Sequence, residues 1–279
     1  MADCDVRKQT KRAVVAVIDG ETIKLDDGRE VRLLGIIAPR PPPALAADAS
    51  WPPADAAFAA LSKLLTGRSV RIAAKGRHTD RYGRTLAHVF LVDGKAETWV
   101  EERLVGDGHA RVASTADAPA CIAELLKVED RARRAKRGLW AHAAYQIREA
   151  AKAHELADFV QSYQIVEGRV REVQERKRRL YLDFGDAWSK DLTAIVSGRD
   201  RKRFETAKID LKALKGVKVR LRGWVERWNG PLINLTSPEQ IEVLEALPAT
   251  DSVAPDAVPA APVTPAAPDV VTQLPPSAD

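Results

Sequence analysis

Side chains able to do chemistry gather in two stretches of the sequence. The first, Asp19 to Arg40, reads D-G-E-T-I-K-L-D-D-G-R-E-V-R-L-L-G-I-I-A-P-R and carries Asp19, Glu21, Arg32 and Arg40. The second, Gly76 to Arg84, reads G-R-H-T-D-R-Y-G-R and sets Arg77, Arg81 and Arg84 around Tyr82. Cations interleaved with an aromatic ring suit a single-stranded nucleic acid, because bases stack on the ring while the cations follow the backbone. The alternative is a solvated turn with Tyr82 packed on the fold. A guanidinium suits phosphate because its planar fork offers two parallel charge-assisted bonds. The competing use of Arg32 and Arg84 is a surface ion pair with a carboxylate such as Glu30 or Asp80. The five histidines show no ligand spacing among themselves or with the cysteines, which argues against a metal held through them. Asp19, Glu21 and Asp80 are the carboxylates a rearranged cation site would recruit, and no second carboxylate cluster is visible.

The elements that must position these groups read as short strands. Residues 13–18, 22–26 and 30–36 alternate or run apolar, with Asp27-Gly28 as the turn between the last two. Prolines make 40–53 an irregular loop, since each lacks a donor and restrains its predecessor. Ala57, Leu61, Leu64 and Leu65 predict a helix over 54–65, ended by Gly67. Strands follow at 68–74 and 86–91, then helices at 98–105 and 120–136. Five short strands and a few helices fit a small barrel of the oligonucleotide/oligosaccharide-binding (OB) kind, mainly β with helices (α+β). Residues 145–159 read as a connecting helix. Beyond it, 163–170 is a strand with 180–184 as its hairpin mate across E-R-K-R-R. A strand at 192–196, a helix at 201–207 and a hairpin of 217–225 with 232–235 around Asn229-Gly230 complete a second OB-like barrel. The divisions expected are an N-terminal segment 1–12, a first barrel 13–141, a connecting helix 142–161, a second barrel 162–245 and a tail 246–279.

Composition narrows the class. A length of 279 residues favours two domains, and 45% apolar with 30% charged residues is globular. The formal charge of +5 is unevenly spread: residues 246–279 hold four Asp and no Lys or Arg, which leaves +9 on residues 1–245. That surplus favours a polyanionic partner, nucleic acid first and an anionic membrane surface second, against a merely soluble basic protein. The tail is Ala, Pro, Val and Asp, with eight prolines among its 34 residues, so it is expected to be disordered with polyproline-II bias. Its P-x-x-P spacing fits a spacer more readily than a groove-binding ligand. No apolar run is long enough to span a bilayer. As written, the start has no signal-peptide core, so a cytoplasmic location is expected, or a periplasmic or secreted one if an upstream signal is missing. Cys4 and Cys121 are either two unpaired thiols or, in an oxidising compartment, a disulfide tying the amino terminus to the last helix of the first barrel.

D-G-E-T at 19–22, R-L-L-G-I-I-A-P at 32–39, T-D-R-Y-G-R at 79–84 and G-L-W at 138–140, in that order and spacing, resemble the staphylococcal nuclease (thermonuclease) family over residues 13–141. The resemblance implies the OB fold, phosphodiester hydrolysis and a phosphate clamp of two arginines, matched by Arg32 and Arg84. Arg40, Arg77, Arg81 and Tyr82 then belong to the nucleic-acid-binding surface. The family's calcium carboxylates fall at Glu21, one methylene longer than the family's aspartate, and at Ile37, which has no oxygen to offer. The family's base falls at Arg40, which cannot accept a proton at neutral pH. Tyrosines that stack bases in the family are replaced by Ser114 and Ala116, so sequence preference should be weak. Trp140 reads as a core plug.

In the second barrel, E-R-K-R-R at 175–179 and R-D-R-K-R at 199–203 lie near Tyr181, Phe184, Trp188, Trp224 and Trp228. They read as a second nucleic-acid face or as hairpin tips over core aromatics. Three functions follow. The first is a thermonuclease-like protein that binds nucleic-acid phosphates, single strands favoured, with calcium-dependent hydrolysis weak or lost. The second is an active metal-dependent phosphodiesterase or endonuclease with a rearranged site, Glu21 its metal candidate and calcium its cofactor only in that case. The third is a scaffold that docks proteins. Oligomeric state has no signal in the sequence.

Overall fold

The first strand is long enough to serve two neighbours, and that sets the shape of the first half of the chain. In the computed structural model, which describes residues 8–42, 45, 49–74, 79–114, 121–187 and 190–245, β1 (Lys8–Asp19) pairs through its first half with one strand and through its second half with another. β2 (Thr22–Leu25) and β3 (Glu30–Leu33) form a hairpin around Asp27-Gly28, with Val14 to Asp19 alongside β2. β4 (Ile36–Ile37) leads away to α1 (Pro52–Leu65), which starts on two prolines and buries Ala57, Leu61 and Leu65. β5 (Ser69–Ala74) pairs with Lys8 to Ala13, and β6 (Thr85–Asp93) pairs antiparallel with β5 and parallel with β3. The five strands therefore close on themselves, as an OB barrel does.

β7 (Ala96–Trp99) folds back on β6 before α2 (Val100–Gly106) begins. The helix expected from residue 98 thus starts two residues later. The turn at Gly94 and Lys95 returns the chain onto the sheet edge, and pairing with β6 holds Thr98 and Trp99 extended. β8 (Arg111–Val112) pairs with β4, and α3 (Ile122–Arg134) buries Ile122, Leu125 and Val128 against the barrel.

The connecting helix expected at 142–161 is absent. Residues 143–159 form short 3₁₀ turns, a four-residue α4 (Ala153–Leu156) and β9 (Arg148–Glu149), which runs parallel to the next strand. The chain is held extended there by that pairing and by close approach. A Cβ placed on Gly168 would sit 2.4 Å from Ala150 Cβ, so only glycine lets the segment lie on the sheet.

β10 (Tyr163–Arg169) passes through Val170 and Arg171 into β11 (Glu172–Arg176), whose hairpin mate is β12 (Arg179–Asp183). The expected mate of 180–184 was the 163–170 strand, but that strand pairs with β14 instead. β13 (Thr193–Ser197), α5 (Gly198–Thr206), β14 (Lys218–Trp228), β15 (Gly230–Leu235) and β16 (Ile241–Val243) follow. β13 pairs with β12, runs parallel to β15, and β15 pairs with β14. Pairing order and helix position repeat those of the first barrel, so the second sheet curls in the same OB-like way.

The two sheets meet over a polar seam. Val112 N donates to Glu129 Oε1 (2.7 Å) while Glu129 Oε2 accepts from Arg222 NH1 (2.7 Å), and Arg222 also pairs with Glu242. Arg111 NH1 donates to Tyr163 O (2.7 Å), Tyr163 Oη donates to Val112 O (3.1 Å), and the hydroxyls of Ser114 and Ser237 share a hydrogen bond (2.7 Å). Trp140 packs here with Ala132, Tyr145 and Ile165, in a cluster separate from the first barrel's core, so it fills the junction. Residues 246–279, the expected tail, lie outside the described residues.

Candidate functional site

Glu21 sits in the turn just before β2, 1% exposed, where the backbone leaves β1. The turn is fixed locally: Glu21 N donates to Asp19 Oδ1 (2.8 Å) and Leu33 N to Glu21 O (2.9 Å). Gly20 permits it, because a Cβ there would lie 2.8 Å from Ala57 Cβ and 2.9 Å from Ala38 Cβ, driving α1 off the barrel. The Glu21 carboxylate is then fully engaged by donors. Arg32 Nε (3.1 Å) and Arg40 NH2 (2.6 Å) both reach Oε1, and Ala38 N (2.7 Å) reaches Oε2.

Arg32 stands opposite Thr22 in the β2–β3 register, and Arg84 NH1 lies 3.4 Å from the Thr22 hydroxyl. The pairing of Arg32 with Leu86 across the parallel β3–β6 ladder brings the two arginine-bearing segments together. Arg84 enters β6 from a tight loop built on Asp80. Tyr82 N (2.9 Å) and Arg84 N (3.0 Å) donate to Asp80 Oδ1, and Arg84 Nε (2.8 Å) donates to Oδ2. Burial raises the Asp80 pKa, but these bonds outweigh it and hold the carboxyl below its usual range, so it stays ionised as Arg84's counter-ion. Tyr82 is 67% exposed; Arg81 NH2 donates to its hydroxyl (2.6 Å), and the Arg81 and Arg84 guanidiniums lie 4.8 and 5.3 Å from its ring centroid. Tyr82 is therefore a solvated ring flanked by cations, not a core residue.

The expected residues are brought together in part. Arg32, Arg40 and Glu21 form one cluster; Arg81, Tyr82 and Arg84 form the next, joined at Thr22. Arg77 lies outside the described residues. Arg84 takes Asp80 as its carboxylate, as the ion-pair alternative has it, but Arg32 takes Glu21 and not Glu30. Thr22 went unread in the sequence, although the register of a D-G-E-T hairpin entry could have placed it between the arginines. Arg32 and Arg40 share the one Glu21 carboxylate, Arg84 takes Asp80, and Arg81 is bonded to the Tyr82 hydroxyl.

The calcium that the family resemblance implies does not fit these residues. Three N–H donors crowd the Glu21 oxygens, Ile37 is aliphatic and buried in the β4–β8 pair, and Arg40 puts a cation where a cation would bind. Among the described residues no group of three or more His, Cys, Asp or Glu is placed to hold a metal ion, which leaves Asp19, Glu21 and Asp80 without the convergence a rearranged site needs. Cys121, at the head of α3, is disulfide-bonded; Cys4 lies outside the described residues.

In the second sheet the E-R-K-R-R run forms the β11–β12 hairpin tip, with Arg179 5.9 Å from the Trp228 ring centroid. Phe184 packs against the second core, while Trp224 and Trp228 are exposed. Arg199 to Arg203 belong to α5, where Arg203 and Arg201 pair with Asp200 and Glu175. Among the described residues no helix is long and apolar enough to cross a membrane.

Residues 30–142 match the family model described as staphylococcal nuclease homologue, a span that starts after Glu21 and closes just past Trp140. No curated protein matches the chain.

Proposed function

The chain carries a staphylococcal nuclease homologue domain at residues 30–142, and from that premise we propose that it binds nucleic acid through backbone phosphates, with calcium-dependent hydrolysis weak or lost. Arg32 and Arg84 are the phosphate clamp, and Arg40, Arg81 and Tyr82 extend the surface for a single strand. The observation that carries this reading is the donor set around Glu21. Its carboxylate serves as a counter-ion that holds Arg32 and Arg40 in place, and so it is spent for metal binding. Two guanidiniums on one carboxylate leave positive charge for a phosphodiester, and Arg32 on β3 and Arg84 just before β6 both neighbour Thr22. Hydrolysis also needs a base for the attacking water, and Arg40 stands where the family resemblance puts it. General-base contributions of ~10²–10⁴ in rate are therefore forgone. The disulfide at Cys121 supports work in an oxidising compartment.

Fluorescence anisotropy with a labelled single-stranded DNA tests the binding, at two or more salt concentrations. Arg84→Ala and Arg32→Ala should each weaken affinity about tenfold to hundredfold, since hydrogen bonds to charged groups contribute roughly 1.5–3 kcal/mol. Each should also lower the salt slope by about one phosphate contact. Cleavage of the same strand is then followed with calcium, magnesium or manganese. Efficient metal-driven cleavage lost in Arg84→Ala would replace this reading with a working phosphodiesterase. Affinity that ignores both salt and the two arginines would replace it with a protein-docking scaffold.

A further inference from the structure

A cleft of about 280 Å³ opens between the two sheets, and Arg32 is one of its walls. The first barrel lines it with Arg32, Ile37 and Leu86, and the second sheet with Trp224, Glu226 and Asn234. We propose that this cleft is a nucleobase subsite, in which Trp224 stacks the base of a single-stranded nucleic acid whose phosphate rests on Arg32. The proposal rests on the phosphate-binding reading above and adds to it a second sheet that takes part in recognition.

Three observations converge on it. Trp224 is 43% exposed, on the face of β14 opposite the buried Gly223 and Val225, and it lines the same cleft as Arg32. Its orientation is fixed from the side: the Tyr163 ring, its cross-strand neighbour, stands edge-on to it at 6.1 Å between centroids, and Tyr163 is itself tied to the first barrel through its hydroxyl bond to Val112 O. A stacking surface held in one place loses little freedom on binding, which is what makes an aromatic platform effective. The charges are the third observation. Arg32 makes one wall cationic, whereas Glu226, bonded to Asn234 Nδ2 (3.0 Å), makes another anionic. A phosphate is drawn to the first and repelled by the second, so a ligand with an anionic end and a flat neutral end has one orientation. A nucleotide unit has that chemistry. Ligand pockets run from roughly 300 Å³ upward, so the cleft is sized for one base and not a stacked run.

The junction makes this geometry dependable. Arg111, Tyr163, Ser114, Ser237, Glu129 and Arg222 bond the two sheets together at the floor of the same seam, so Trp224 and Arg32 are held by one continuous hydrogen-bonded structure.

The test uses the full chain and two probes of equal length, a single-stranded oligothymidylate and its abasic counterpart. Stacking contributes about 1–3 kcal/mol per base by alanine substitution, which is about fivefold to a hundredfold in affinity. Trp224→Ala should show that loss for the base-bearing strand, leave the abasic strand unchanged and keep the salt slope, because no phosphate contact is removed. Trp224→Phe should recover most of the affinity, which a general disturbance of the fold would not allow. Equal loss for both probes, or no loss for either, overturns the subsite. Arg84→Ala distinguishes that failure from failure of the underlying reading: it weakens both probes if the phosphate grip is right, and neither if it is wrong.

Discussion

Glu21 is the residue on which the site turns. A buried carboxylate with two guanidiniums and a backbone N–H around it neutralises and aims them at once, and the two roles oppose each other when a phosphate arrives. Glu21→Gln keeps the shape and one acceptor for Ala38 N but removes the competing charge. Affinity for single-stranded DNA at low salt should rise by about threefold to tenfold, measured by anisotropy; the gain should shrink as salt screens the cluster. A fall in affinity would mean that aiming outweighs competition. The arginines of this site were legible because they lie in short local patterns, R-L-L and Y-G-R. Glu21's partners were not, since Arg32 and Arg40 stand eleven and nineteen residues away and meet it only after the hairpin closes. Asp80 was legible as an alternative partner because four residues separate it from Arg84 in one loop.

At the scale of elements, strands were easier to place than helices. Alternation marked β2, β3, β5, β6, β12, β13 and the β14–β15 hairpin, because half-buried strands must alternate whatever they pair with. The failures came where pairing overrode local preference: β7 took Thr98 and Trp99 from the expected helix, and β9 took the middle of the expected connector. One buried element pair has a pH consequence. Glu101 on α2 accepts from Val89 N on β6 (3.1 Å to Oε1) and lies 3.5 Å from His88 Nδ1. Burial raises its pKa, with the His88 contact opposing. The folded chain therefore holds this proton more tightly than the unfolded chain does. The stability it contributes is full below the ordinary glutamate range and is lost as pH rises through the raised value. Carboxyls held below their usual range, Asp80 among them, give the opposite slope in both proteins, so the test is the difference: the urea midpoint of the native chain minus that of Glu101→Gln should fall as pH rises over that window.

Across the whole molecule, a second OB-like barrel was foreseeable, but neither the pairing of β10 with β14 nor the seam joining the two sheets was. Its residues are scattered from Arg111 to Glu242, and none belongs to a local pattern. Arg222 is 2% exposed, and burial alone would lower its pKa; Glu129, Tyr163 and Glu242 around it outweigh that and keep it charged. Tyr163, buried beside it, is pushed up to about 12, chiefly by desolvation. Removing one member of a buried ion group strands the rest, so Arg222→Ala should destabilise by about 3–5 kcal/mol in urea unfolding, far more than an exposed pair such as Arg103–Asp107 would.

That seam also imposes an order on synthesis. Glu129 leaves the ribosome 93 residues ahead of its partner Arg222, an interval on the order of ten seconds at ordinary elongation rates. Throughout it the first barrel is free to close, since β6 has already been made, and Val112 N can take one Glu129 oxygen, yet the oxygen that will meet Arg222 can only face water. The nascent chain thus waits half-assembled with a hydrated acid on the face it will later hide, and it locks only when β14 emerges.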